Sequence, residues 1–302
     1  MQIAKYDEIP WAVSPGTRGG GSMTSDNISK GQEGFKYRQL FTGTPGEQGN
    51  FEMVVLRTES KENPKHYPRH RHAFDQVRLT LAGEADWTPG SVTPEGWVIY
   101  MGAGTNYGPY DRQAGHEQLH IQFQGAGCPP FVNYEELTAA RDILAKKGSF
   151  EKGVYTWIDE QGKRHNKDGH AATVECATGE ELVIPPARFA DPINMNPEAY
   201  DWIEIASGVQ HKELGSFTEA ETRVSFLRLE DGASYEVSPT EQQATLLFVR
   251  SGTGDVDGQT ISERDGIMLD PSDSGVTFTA ADTRDLFVLA LPRLSDPRKA
   301  VQ

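Results

Sequence analysis

Short runs of alternating apolar and polar residues, each closed by Gly, Pro, Asn or Asp, dominate this chain. FEMVVLRT, DQVRLTLAG, GWVIYMGAG and EQLHIQFQG follow one another between Phe51 and Gly125. RVSFLRLEDG, ATLLFVRSG, GIMLDPSDSG and DLFVLALP repeat the rhythm between Asp201 and Leu294. Period-2 runs bounded by turn formers are strands, so the pattern predicts an all-β protein built from two similar units. The 302 residues suffice for two cores. A shift of 169 residues places Gly83 on Gly252 and GWVIYMGAG on DGIMLDPSD without a gap. A duplicated β-unit is the simplest account.

Three regions are expected: an N-terminal arm with the first β-unit (1–130), a linker (131–200) and the second unit (201–302). Residues 1–50 are rich in Gly, Ser, Thr and Gln and read as an extended arm. GTRGGG at 16–21 lacks the Lys-Ser/Thr ending of a phosphate loop. In the linker, Asn133 and Glu136 form a capping-box pattern, and Leu137, Ala140, Ile143 and Leu144 make an apolar stripe. With Gly148 as a left-handed stop, they predict a helix over 134–147. GVYTWID, AATVEC and ELVIPP are strand candidates beyond it.

A formal net charge of −15 repels phosphate backbones, so no nucleic-acid partner is expected. No stretch of 18 apolar residues exists, so no membrane span is expected either. MQIAKYDEIPWAVSPG carries no apolar signal-peptide core. Two cysteines, Cys128 and Cys176, make neither a disulfide framework nor a zinc motif. A cytoplasmic location is the expectation.

The stretch PRHRHAFDQVRLTLAG, Pro68 to Gly83, carries the chemistry. His70 and His72 are one residue apart, Gln76 follows, and Gly83 ends the run. This spacing resembles the first motif of the cupin family. The second motif is recognisable in Gly96, Gly102, Gly104 and Tyr107. Gln76 stands where the family usually has Glu, Tyr107 where it has the fourth ligand His, and Gly102 where it has Pro. The resemblance implies two double-stranded β-helix (jelly-roll) barrels, joined here by a short linker helix. It also implies a divalent metal, iron foremost, with manganese, nickel, zinc or copper as alternatives. The ligand candidates are His70, His72, Gln76 and, in place of the missing histidine, His120.

Strand parity adds an independent expectation. Residues two apart share a face, so Gln76 brings Arg78 and Thr80 with it. Gln118, His120 and Gln122 share a face of a later run, and Leu119, Ile121 and Phe123 share the other. With the polar faces inward, the first barrel holds a wet pocket. A buried guanidinium requires a counter-charge, so Arg78 points to a small anionic or carbonyl-bearing substrate. Gln118, Gln122, Tyr100 and Trp87 are the other candidate substrate contacts, and His120, Tyr107 and Arg78 the candidate catalytic groups. His116, His165, His170 and His211 read as rim or surface.

In the second unit the 169-residue shift replaces His70, His72, Gln76, Arg78 and Tyr107 by Pro239, Glu241, Thr245, Leu247 and Val276. It replaces Gln118, His120 and Gln122 by Phe287, Leu289 and Leu291. The second barrel should be a filled core. The leading functional expectation is a metal-dependent cupin enzyme, dioxygenase-like, on a small organic acid or carbonyl compound. The alternatives are a metal-independent isomerase or epimerase using His120 and Tyr107, and a non-catalytic small-ligand-binding bicupin. A homodimer fits the outward apolar strand faces.

Overall fold

A computed structural model of the chain describes residues 1–13, 35–58, 65–67, 69–88, 90–151, 153–239 and 242–293. The GTRGGG stretch lies outside the described residues. The chain divides into two compact units, one of Trp11–Gln124 with Cys128–Asn194, the other of Met1–Pro10, Gly125–Gly127 and Met195–Gln302. Up to Gly125 the strands are β1 (Gln2–Ala4), β2 (Ala12–Val13), β3 (Phe35–Thr42), β4 (Phe51–Thr58), β5 (Lys65–Tyr67) and β6 (Asp75–Ala82). They continue with β7 (Glu84–Asp86), β8 (Val92–Pro94), β9 (Val98–Met101), β10 (Tyr110–Arg112) and β11 (Glu117–Phe123).

In the first of these units the main sheet runs β9-β6-β11-β4-β3-β2, and β5–β10 and β7–β8 form short pairs. An isolated bridge joins His70 to Tyr107. Gly83 adopts φ 74°, the left-handed conformation that lets β6 turn sharply into β7. The antiparallel register sets Gln76 beside Gln122, Arg78 beside His120 and Thr80 beside Gln118. The polar positions of two distant runs therefore form one continuous patch. The alternate positions Val77, Leu79, Leu119 and Ile121 are fully buried on the other face.

Helix α1 spans Tyr134–Ala145 and has the expected capping box between Asn133 and Glu136. It stops short of Gly148, whose role is different. Gly148 opens the strand Gly148–Glu151, and a Cβ there would lie 2.3 Å from the Thr156 carbonyl oxygen. Leu137 and Ala140 are buried as the stripe requires, but Ile143 is exposed, and the buried Arg141 stacks over the Phe150 ring. AATVEC is not a strand. It lies in a second helix, α2 (Gly169–Thr178), capped by the Asp168 carboxylate on the His170 and Ala171 N–H groups and closed by left-handed Gly179. GVYTWID supplies the strand Val154–Ile158, whereas ELVIPP forms none.

The other unit has the same plan. Its seven-stranded sheet runs from β1 through Gly266–Leu269, Thr245–Ser251, Arg284–Ala290, Thr222–Leu229 and Val209–Phe217 to Ile203–Ala206. Thus the first residues of the expected arm extend this sheet, anchored by the Tyr6 N–H on Asp265 Oδ1 at 2.9 Å. Inside lie Leu247, Val249, Ile267, Leu269, Phe278 and Leu286, all with no exposed surface.

Strand pairing corrects the repeat alignment. Arg78 pairs with His120 and with Ile99, and its counterpart Leu247 pairs with Val288 and with Ile267. The counterpart of His120 is therefore Val288 and not Leu289, a slip of one residue that changes the face. Val237 paired with Val276 occupies the place of His70 with Tyr107. The filled second core is unaffected, since each corrected counterpart is still apolar.

Candidate functional site

β6 and β11 present the site's floor, and Trp87, Tyr107 and Tyr110 present the facing layer. Ile99 and Met101 share Arg78's face of the sheet, and both pack in one apolar cluster with Ala85, Trp87, Tyr107 and Tyr110. Arg78 is 3% exposed. Its Nη2 donates to Gln76 Oε1 at 2.5 Å and to Tyr107 Oη at 3.3 Å. The guanidinium lies over the Trp87 ring, 4.3 Å from its centre. Gln122 Nε2 also donates to Gln76 Oε1, at 3.3 Å, and His120 Nε2 lies 3.1 Å from the same oxygen. Gln76 Nε2 in turn donates to Tyr107 Oη at 3.3 Å. The alternation in the sequence thus brings Gln76, Arg78, Tyr107, His120 and Gln122 into one hydrogen-bonded network. Gln118 joins its edge, held through Oε1 by His116 at 3.4 Å.

The network is rich in donors. Arg78 Nε and Nη1 and Gln118 Nε2 are buried with no hydrogen-bond partner among the described residues. Arg78 makes no ion pair among them either. One buried carboxyl stands on the adjoining strand: Glu52 pairs with Gln122 across β4 and β11. Burial pushes Glu52 up to about 8, against the lowering effect of the Tyr134 N–H bonded to it. At neutral pH that carboxyl is largely protonated and supplies no counter-charge to Arg78.

His70 and His72 stand at the edge of the network, half-buried, with ring centres 5.1 Å apart and planes nearly perpendicular. His70 packs on Tyr107 at 4.4 Å, and His72 stacks on Phe74 at 4.5 Å. His170, from the first turn of α2, meets His72 edge-on at 5.5 Å. His170 and His116 are buried, where the sequence suggested surface or rim. Burial of His170 follows from the helix that replaces the expected strand. Tyr100 is not in the pocket. It pairs with Val77 on the opposite face, where its hydroxyl donates to the buried Asp75 Oδ2 at 2.7 Å. Parity excludes it, because Ile99 and Met101 take the inward positions. Desolvation raises the Tyr100 phenol far above its ordinary range, and the Asp75 charge adds to this.

A metal held at the four motif positions would need Gln76 Oε1. That atom accepts from Arg78 Nη2 and Gln122 Nε2, the first cationic, with His120 Nε2 3.1 Å away, and a carboxamide offers a metal no charge to compete with them. Tyr107 Oη, at the fourth position, accepts from two donors. His120, expected to complete the shell, points at Gln76 Oε1. Among the described residues no three His, Cys, Asp or Glu side chains gather to hold a metal ion. The donor set as folded does not fit a metal.

Two similar barrels, each a large antiparallel sheet closed by short pairs or a small sheet, define a duplicated jelly-roll protein. The fold is the two-barrel jelly roll seen in bicupin structures. A provisionally assigned dioxygenase from Nostoc punctiforme PCC 73102 is similar over 98% of this chain and 84% of its own, at 15% identity and TM-score 0.59. Quercetin 2,3-dioxygenase from Acinetobacter baumannii is similar over 98% of this chain and 88% of its own, at 12% identity and TM-score 0.52. Oxalate decarboxylase from Bacillus subtilis is similar over 97% of this chain and 76% of its own, at 11% identity and TM-score 0.55. No protein-family model matches the chain, and no curated protein matches it. No helix among the described residues is long and apolar enough to cross a membrane.

Proposed function

We propose that the first barrel is the working centre of a cupin-type enzyme that binds a small organic anion and moves a proton on it. One observation carries this reading: among the described residues Arg78 is buried without an ion-pair partner, and its Nε and Nη1 nitrogens have no hydrogen-bond partner. An uncompensated buried charge costs several kcal/mol, and a carboxylate or enolate oxygen of a ligand offsets that cost. Gln118 Nε2 offers a further donor, and Gln122 holds the network's orientation. His120 and Tyr107 belong to the same hydrogen-bonded network, and both residue types exchange protons in either direction. Trp87 seats the guanidinium.

A second reading, a metal-dependent oxygenase, draws on the adjacent, perpendicular imidazoles of His70 and His72. It requires Gln76 to release its donors. Thermal unfolding with a panel of small carboxylates, followed by proton exchange into deuterated water detected by NMR, tests the first reading. A stabilising acid whose carbon-bound proton exchanges, with exchange lost in His120→Gln and Tyr107→Phe while binding persists, supports it. Stabilisation with no exchange reassigns the barrel as a non-catalytic binding module.

A further inference from the structure

The two departures from the metal motif have a common structural neighbour. Gln76 replaces the carboxylate and Tyr107 replaces the imidazole, and Arg78 Nη2 donates to both, to Gln76 Oε1 at 2.5 Å and to Tyr107 Oη at 3.3 Å. We infer that the Arg78 guanidinium is the resident cation of the first barrel, serving in place of a divalent metal as the positive centre that takes a small carboxylate. The inference rests on the anion-pocket reading and names the group that supplies its charge.

Each substitution follows from that role. A glutamate at position 76 would form a buried ion pair with Arg78 and consume the charge that a ligand needs. Glutamine accepts the same hydrogen bond and leaves the charge available. A histidine at 107 would offer Arg78 one ring nitrogen; a phenol oxygen accepts from both Arg78 and Gln76. The remaining acceptor position of Gln76 Oε1 is taken up by Gln122, and His120 Nε2 lies 3.1 Å from the same oxygen. These bonds hold the guanidinium over the Trp87 ring, and among the described residues Nε and Nη1 have no hydrogen-bond partner. The Nε–H and Nη1–H groups lie on different edges of the guanidinium, so each offers a carboxylate oxygen a single charged hydrogen bond. The second barrel lacks the whole device: Thr245, Leu247 and Val276 occupy the places of Gln76, Arg78 and Tyr107.

The test is a titration of the full-length protein with sodium malonate and sodium acetate against sodium chloride of equal ionic strength. It is followed by thermal unfolding, with and without EDTA, alongside elemental analysis after exposure to nickel(II), manganese(II) and iron(II). The expected result is carboxylate stabilisation that EDTA leaves unchanged, with no stoichiometric metal retained after desalting. Arg78→Met should weaken the carboxylate by about tenfold or more, and Arg78→Lys should weaken it less, because one charged hydrogen-bonded pair is at stake. Carboxylate binding that disappears with EDTA, or near-stoichiometric metal lost in a His70→Ala/His72→Ala variant, overturns the inference and leaves the anion-pocket reading standing. Absence of carboxylate binding with and without metal overturns both. The EDTA comparison on unmodified protein decides the matter even where Arg78→Met fails to fold.

Discussion

Arg78 rests its guanidinium on the face of Trp87, 4.3 Å from the ring centre, with both side chains buried. The indole face and two hydrogen-bond acceptors replace part of the hydration that the guanidinium loses on burial. Trp87 also fills the inner apolar cluster with Ile99, Met101 and Tyr107. Trp87→Ala should therefore cost about 3–5 kcal/mol, as large aromatic truncations in cores do. Trp87→Phe, which keeps a ring face, should cost clearly less. Urea unfolding of the two variants checks this, and equal losses would mean that volume alone matters at this position.

Glu52 gives the protein a pH signature. Burial raises its folded value to about 8, against about 4.3 in an unfolded chain. Below the lower value both states hold the proton, and Glu52 contributes nothing to the pH dependence. Between the two values the native protein holds a proton that the unfolded chain has released. Stability then falls as pH rises, by up to about 1.4 kcal/mol per pH unit. Above the folded value the fall stops. Glu52→Gln retains an acceptor for the Tyr134 N–H and removes the slope, so the variant should gain on the parent from mildly acidic to mildly alkaline pH. Parallel urea-derived stability curves across that range would show Glu52 already ionised in the native state.

Tyr100 tests the parity of the sheet. Its hydroxyl donates to Asp75 Oδ2 and the Ala103 N–H donates to Asp75 Oδ1, all on the face opposite Arg78. Tyr100→Phe strips one donor from a buried carboxylate and should cost about 1–3 kcal/mol. Carboxylate affinity of the folded variant should not change. A loss of affinity comparable to that of Arg78→Met would place Tyr100 in the pocket after all.

Asn133 ties α1 to the barrel as well as capping it. Its side-chain oxygen accepts from the Glu136 N–H at 3.0 Å, and its Nδ2 donates to Thr42 Oγ1 at 3.0 Å. Asn133→Ala should destabilise the protein by about 1–2 kcal/mol, measured by chemical unfolding. Asn133→Ser, which restores a cap without the Thr42 bond, should recover part of the loss. Full recovery would assign the effect to the cap alone.

Much of this was written in local periodicity. Alternation along DQVRLTLAG and EQLHIQFQG set Gln76, Arg78, Gln118, His120 and Gln122 on their common faces, because side chains of a strand alternate with a period of two whatever surrounds them. The same rule, applied to Ile99, Tyr100 and Met101, excludes Tyr100 from the pocket. It also singles out Glu52, the acid that shares the inward face of its strand with Val54 and Leu56. The cap of α1 and that of α2, Asp168 closed by Gly179, are equally local. Only the tertiary structure decided which polar atoms meet. That Gln76 Oε1 collects Arg78, His120 and Gln122, and that Arg78 lands on Trp87, depends on strand register between runs far apart in the chain. Loop length sets that register, and one residue gained or lost turns every side chain of a strand to the other face. The one-residue slip between His120 and its counterpart Val288 shows how small that margin is.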